Sequence, residues 1–234
     1  MNRKGKSWPL FVVAILIVLF SLTAIFGVSY TYGDTKNVYV KGASDIRFGI
    51  DIRGGVDVTF MPADDVEARA AVRAAAAYQG PVYLRFGRMA VPVFNDPQTY
   101  HFEMGKGITL RDGKDITIVA TGLMVAEAME AGKMLEEKGI DARIINIHTI
   151  KPLDEQLVCK AAQETGKIIT VEEHSVIGGL GDAVCAAVNA GSNGCQVVKM
   201  GVHDVYGHSG PGGDLITEFG LRAANIVEEA LKML

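Results

Sequence analysis

The chain has 234 residues, a formal net charge of −4 and an isoelectric point near 5.7. That length suits one large domain or two small ones, and the absence of a basic footprint argues against nucleic acid as a partner. Cys159, Cys185 and Cys195 show neither metal-ligand spacing nor a disulfide framework, which fits inert thiols in a reducing compartment.

The first element is apolar. Residues 9–28, PLFVVAILIVLFSLTAIFGV, carry no charge and match the ~20 residues that cross a bilayer core. Arg3, Lys4 and Lys6 precede the run, and Trp8 and Tyr30 flank it as interfacial aromatics do. The expectation is one transmembrane helix within residues 1–30, a cytosolic N-terminus, and the rest of the chain beyond the membrane. A cleaved signal peptide competes with this reading, although the run is long and no small-x-small site follows it.

Residues 31–64 alternate as strands do, and Gly54-Gly55 allows a tight bend. Within them FGIDIRGGVDVTF, residues 48–60, resembles the opening of SecD, the membrane subunit of the bacterial protein-export translocase. The resemblance covers about residues 1–64. It implies a membrane helix followed by the first strand of a large extracytoplasmic domain, here truncated.

The pattern changes at Pro62-Ala63-Asp64-Asp65. DDVEARAAVRAAAAYQG reads as a helix with Asp64 or Asp65 as N-cap and Gly80 as its stop, and PVYLRFGR as a strand ending at Arg88. Residues 95–113 read as a linker. Residues 114–234 then alternate strand and helix. DITIVATG, ARIINIHTI, KIITVEE and CQVVKMGV are the strands. LMVAEAMEAGKMLEEKG, residues 153–165, GLGDAVCAAVNAG and AANIVEEALKML are the helices. This order implies an α/β fold, a mostly parallel sheet with helices on both faces.

Three stretches in this region, PADDVEARAAVRAAAAYQGPVYLRFGR, VATGLMVAEAMEAGKMLEEKGIDARIINIHTIKPLD and TVEEHSVIGGLGDAV, together resemble the C-terminal section of transketolase. The resemblance runs from about Pro62 to Leu234. It implies a whole C-terminal domain over 114–234, preceded by the truncated end of a pyrimidine-binding domain over 65–94. It also implies a parent family of thiamine-diphosphate enzymes that transfer ketol groups between sugar phosphates. Deoxyxylulose-phosphate synthase and a ketoacid dehydrogenase β-subunit are the alternatives within the same superfamily.

The family holds its cofactor's diphosphate through magnesium on a Gly-Asp-Gly…Asn motif, and drives ylid formation with a glutamate at the pyrimidine ring. Asp112-Gly113 lacks the rest of that motif, and the glutamate belongs to a part of the family fold that lies ahead of Pro62. The expectation is that this chain alone binds neither thiamine diphosphate nor magnesium. A second transketolase-type subunit would supply the cofactor site.

Among candidate site residues, Arg88 stands where the resemblance places a ligand for the sugar phosphate, a task that suits a guanidinium fork. Glu172, Glu173 and His174 could by themselves serve acid–base chemistry, and the glycine-rich GGLGDA could serve an anion. The resemblance instead assigns Glu173, His174, Gly178 and Gly179 to a domain or subunit contact. His203 and His208 are not spaced for one helix face, the adjacent Gly-Pro-Gly-Gly reads as a connector, and His101 and His148 stand alone.

The two resemblances imply different compartments, membrane-anchored for one part and cytoplasmic for the other. Residues 62–65 therefore read as a seam in a chimera, after which the pair 65–86 packs poorly and a stable core begins near residue 105. The alternative is a membrane-anchored, noncatalytic interaction module of a SecD-like translocase.

Overall fold

The computed structural model describes residues 8–26, 28–32, 35–40, 58–191 and 194–234. Arg3, Lys4, Lys6, Gly54-Gly55 and most of the SecD-like string fall outside them. The chain divides into two compact units, Met1–Gly54 and Gly55–Leu234.

In the first unit, helix α1 (Trp8–Phe26) precedes an antiparallel hairpin of β1 (Val28–Tyr32) and β2 (Thr35–Val40). The membrane expectation fails at α1. Strand β1 begins only two residues after α1 ends. Among the described residues no helix is long and apolar enough to cross a membrane. The transmembrane helix within residues 1–30, the single-pass location and the membrane contact through residues 9–28 are corrected accordingly.

The second unit contains two sheets. The larger has the order β10-β9-β6-β7-β5, built from β5 (Ile108–Arg111), β6 (Ile116–Ala120), β7 (Ala142–Asn146), β9 (Lys167–Ser175) and β10 (Gln196–Val202). Four strands run parallel, and β5 closes one edge antiparallel to β7. Period-2 alternation sends side chains to two cores. Ile116, Ile118, Ala120, Ile144, Ile169 and Val171 pack under α3 (Met124–Glu136) and α7 (Ala223–Met233). Val119, Ile145, Ile147 and Ile168 face α4 (Glu155–Thr165) and α5 (Leu180–Gly191) on the other side. The α/β expectation for the region thus holds, with helices on both faces.

The smaller sheet has the order β4-β3-β8, from β3 (Val58–Phe60), β4 (Val82–Leu84) and β8 (Thr149–Lys151). Strand β3 is parallel to β4 and antiparallel to β8. Helix α2 (Asp65–Ala77) lies over it, and Val58, Phe60 and Ala71 form a core that Phe102 and Met104 help to close. The helix–strand pair therefore has a sheet and a buried core, contrary to the expectation of poor packing. The third strand comes from ARIINIHTI, which breaks at Ile147-His148 and serves both sheets. Phe102 and Met104 come from the segment read as a linker, and so does β5.

Contacts also cross residues 62–65 in both directions. The Asp64 carboxylate caps α2 by accepting from Glu67 N–H, and also accepts from the N–H groups of Phe94 and Asn95. Met61 N–H donates to the His148 carbonyl at 2.8 Å, and Gly122 N–H to the Met61 carbonyl at 3.2 Å.

Candidate functional site

The carboxyl ends of β4 and β9 meet, which is where ligands of open α/β sheets gather. Beyond β4, Arg85 Nη2 donates to the Glu173 carbonyl at 2.7 Å, linking the two strand ends. Arg88 lies four residues past the end of β4, in a loop, and its Nη2 donates to the Gly210 carbonyl at 2.5 Å. Arg85, Arg88, Glu173, His174, His208 and Ser209 line one cleft of about 580 Å³. A neighbouring cleft of about 460 Å³ is lined by Arg85, Lys151, Glu172, His174, Gly178 and Gly179, among others. The fold therefore brings Arg88, Glu173 and His174 together, and places Gly178 and Gly179 next door.

Sequence reasoning passed over Arg85. Its Nη1 is buried without a hydrogen-bond partner among the described residues, and the side chain borders both clefts. The only signal was a second arginine in LRFGR, three residues ahead of Arg88.

Glu172 is fully buried, and its carboxylate accepts from Leu180 N–H at 2.7 Å and Gly181 N–H at 2.8 Å. It thereby occupies the N-terminus of α5, so GGLGDA offers these two donors to no external anion. A Cβ at Gly179 would fall 1.9 Å from Glu172 Oε2, so only glycine admits the carboxylate. Asp182 accepts from Gly178 N–H at 2.6 Å and pairs with Lys199 Nζ at 2.8 Å, and Lys199 also donates to the Val176 carbonyl at 3.0 Å. The lysine beside Asp182 holds its carboxyl below the usual range. These contacts fix the loop between β9 and α5. His174 Nδ1 stands 4.0 Å from Glu172 Oε2, beyond a direct hydrogen bond.

The other titratable groups do structural work. Glu67 is buried and accepts from Ala63 N–H at 2.6 Å, Tyr100 O–H at 2.5 Å and Asn146 Nδ2 at 2.9 Å. Burial pushes its carboxyl above the usual range. His148 is buried beside Phe102, with ring centroids 4.3 Å apart, and burial lowers its imidazole to about 4. His208 pairs with Glu218 at 2.9 Å, and the segment read as a Gly-Pro-Gly-Gly connector starts helix α6 (Gly212–Glu218). The three cysteines are free and half-buried, and burial raises the thiols of Cys185 and Cys195.

The donor set does not fit the magnesium diphosphate of a thiamine cofactor. Among the described residues no three His, Cys, Asp or Glu side chains converge as a metal site. The buried carboxylates Glu67 and Glu172 have both oxygens engaged within the protein.

Residues 105–226 match the family described as transketolase, C-terminal domain. The chain is 44% identical over 174 residues to the 6-deoxy-6-sulfo-D-fructose transketolase subunit SqwH of Clostridium sp., spanning 73% of this chain and 52% of that protein. It is 38% identical over 177 residues to 1-deoxy-D-xylulose-5-phosphate synthase of Heliobacterium modesticaldum, spanning 75% of this chain and 27% of the synthase. A solved structure titled split gene transketolase, inactive beta4 tetramer, superposes with a TM-score of 0.72 at 46% identity, spanning 76% of this chain and 57% of that one. The chain thus spans about half the length of the split-transketolase relatives, and a smaller share of the synthase. From the paired strand ends, the two helix layers and these matches, the chain belongs to the transketolase C-terminal domain family.

Proposed function

We propose that Pro62–Leu234 acts as the C-terminal section of a transketolase-type enzyme, inactive alone and completed by a second subunit that supplies the thiamine diphosphate and magnesium site. The observation that carries this reading is the convergence of Arg88, Glu173 and His174 on one cleft at the carboxyl ends of β4 and β9. Arg88 is the anchor for a sugar phosphate. One of its N–H groups is committed to Gly210, and a guanidinium has five to offer. Glu173, His174, Gly178 and Gly179 form a contact with the neighbouring domain or subunit. The relative from Clostridium sp. is itself a transketolase subunit by name, which supports a second chain. A deoxyxylulose-phosphate synthase reading shares the same section, and the relative of that name favours keeping it as the second reading.

The test is a ketol-transfer assay with and without a separately produced cofactor-binding subunit. The chain alone should give no turnover, and turnover by it alone with added thiamine diphosphate and magnesium would overturn the reading. In the two-subunit enzyme, Arg88→Ala should raise KM for a phosphorylated acceptor by about 10–100-fold, consistent with losing a charged hydrogen bond. An equal loss with an unphosphorylated acceptor would remove the phosphate role.

We also read the stretch ahead of Pro62-Ala63-Asp64-Asp65 as a separate piece, joined at those four residues. The SecD-like string FGIDIRGGVDVTF supports that origin. Long sequencing reads of source DNA across codons 40–90 test the join. Uninterrupted independent reads would establish a natural fusion.

A further inference from the structure

We propose that Arg222 is a positioning residue for Arg88, fixing through the Gly210–Gly213 segment where the Arg88 guanidinium stands in the cleft at the ends of β4 and β9. The inference rests on the reading of Arg88 as the anchor for a sugar phosphate. Arg88 lies in a loop, so neither a helix nor a strand aims its side chain. Among the described residues its guanidinium has one protein partner, the Gly210 carbonyl, 122 residues further along the chain. What holds Gly210 therefore holds Arg88.

Gly210 stands just ahead of α6, and α6 cannot hold itself. It has seven residues, and Pro211 at its N-cap supplies no side-chain bond. Arg222 supplies the missing ties. Its Nη2 donates to the Gly213 carbonyl at 2.7 Å and its Nε to Thr217 Oγ1 at 3.0 Å. Thr217 Oγ1 in turn donates to the Gly213 carbonyl at 3.0 Å. The third nitrogen, Nη1, donates to Glu127 Oε1 at 3.0 Å, and Glu127 Oε2 accepts from Ala223 N–H at 2.8 Å. Glu127 stands on α3, which packs on the central sheet. A guanidinium presents donors on three nitrogens in one plane, so one side chain joins α3 to the start and the end of α6.

The glycines let the segment fit between the two arginines. A Cβ at Gly212 would fall 2.6 Å from Met89 Sδ, and Met89 follows Arg88 and packs against the larger core. A Cβ at Gly213 would fall 3.2 Å from Arg222 Nη2. The segment thus meets Arg88-Met89 through Gly210 and Gly212, and Arg222 through Gly213. Arg222 is not among the residues that line the cleft, so it acts on a bound phosphate only through Arg88. An anchor already held in place loses less freedom when its ligand arrives, and binds more tightly for that reason.

The test uses the full chain. It reads the order parameter of the Arg88 Nε–H bond by NMR, and takes inorganic phosphate as the ligand probe. In the parent that bond should be ordered. In Arg222→Lys, which keeps the charge beside Glu127 and loses the fork, the value should fall below ~0.6. Thr217→Val removes only the hydroxyl between Arg222 and Gly213, and as the second variant should lower the value in the same direction. Phosphate should bind Arg222→Lys about tenfold more weakly than the parent, and Arg88→Ala should lose at least as much. A parent value already below ~0.6, or equal order in the parent and both variants, overturns the proposal. So does a lower melting temperature in Arg222→Lys with Arg88 still ordered, which would mark Arg222 as a purely structural tie. Phosphate affinity unchanged by Arg88→Ala sinks the anchor reading alone, because the order parameter judges the positioning without any ligand. Affinity lost in Arg88→Ala but kept in Arg222→Lys leaves the anchor and sinks the positioning.

Discussion

Glu172 shows how one side chain can look catalytic in sequence and prove structural in place. Its carboxylate is buried and spent on two N–H groups of α5, and Gly179 exists to let it in. Gly179→Ala should displace the carboxylate and leave buried donors unpaired, costing about 2–4 kcal/mol in urea unfolding. A cost below ~0.5 kcal/mol would mean the loop relaxes freely. His148 gives a pH dependence with a definite sign. Its pKa falls from the ordinary 6.5 to about 4 in the folded chain because burial disfavours the cation. Between those values the unfolded state binds more protons, so the stability His148 contributes is full above pH 6.5 and declines toward pH 4. The loss is about 3 kcal/mol in total, since each unit is 1.36 kcal/mol. Glu67 works in the opposite direction, because its raised pKa makes the folded state hold its proton longer as pH climbs above 4.5. Subtracting the profile of His148→Phe from that of the parent isolates the histidine. If the two profiles run parallel from pH 4 to 6.5, burial does not govern this ring. None of this was legible in sequence. "EEHS" and "NIHT" name the residues, but burial and partners come from strands far apart in the chain.

At the scale of elements, the parallel sheet of residues 114–234 could be read because its signals are local. Apolar runs of five residues alternate with amphipathic helices that stop at Gly139 and Gly166, both in the left-handed conformation glycine favours. The small sheet could not be read, because its third strand is non-local. Thr149–Lys151 follows β7 so closely that it looks like the same strand, yet it pairs with β3 about ninety residues earlier. The same blindness hid β5, whose four residues gain strand geometry only from β7. Phe60 tests whether the small sheet is a true core. It is fully buried, and its ring meets Phe102 edge-on at a centroid distance of 5.4 Å. Phe60→Ala should cost about 3–5 kcal/mol and abolish exchange protection at Val58–Phe60. A smaller cost, near ~1 kcal/mol, would describe a site that collapses around the change.

At the scale of the molecule, the question is where the stable body of the chain begins. The pattern change at Pro62-Ala63-Asp64-Asp65 suggested a core starting near residue 105, with everything before it loosely held. That inference treated a change of period as a change of domain. The structure ties two of those four residues to segments well beyond them. Asp64 holds three N–H groups, Ala63 is held by Glu67, and Glu67 reaches Asn146 in the central sheet. A strand-to-helix turn also changes period, so sequence alone could not separate the two cases. Cutting at residue 105 would remove β3, β4, α2 and Phe102 together, leaving β8 without a partner and exposing His148 beside it. The chain from Gly55 keeps every residue of the three cores. The expected outcome is that residues 55–234 unfold in one cooperative transition, with calorimetric and van't Hoff enthalpies equal. Residues 105–234 should melt lower by at least about 3 °C, as a loss beyond ~1 kcal/mol implies in a domain of this size. If the shorter chain melts at the same temperature as the longer one, the small sheet contributes nothing to the larger, and the ties through Glu67 and His148 hold only the turn itself.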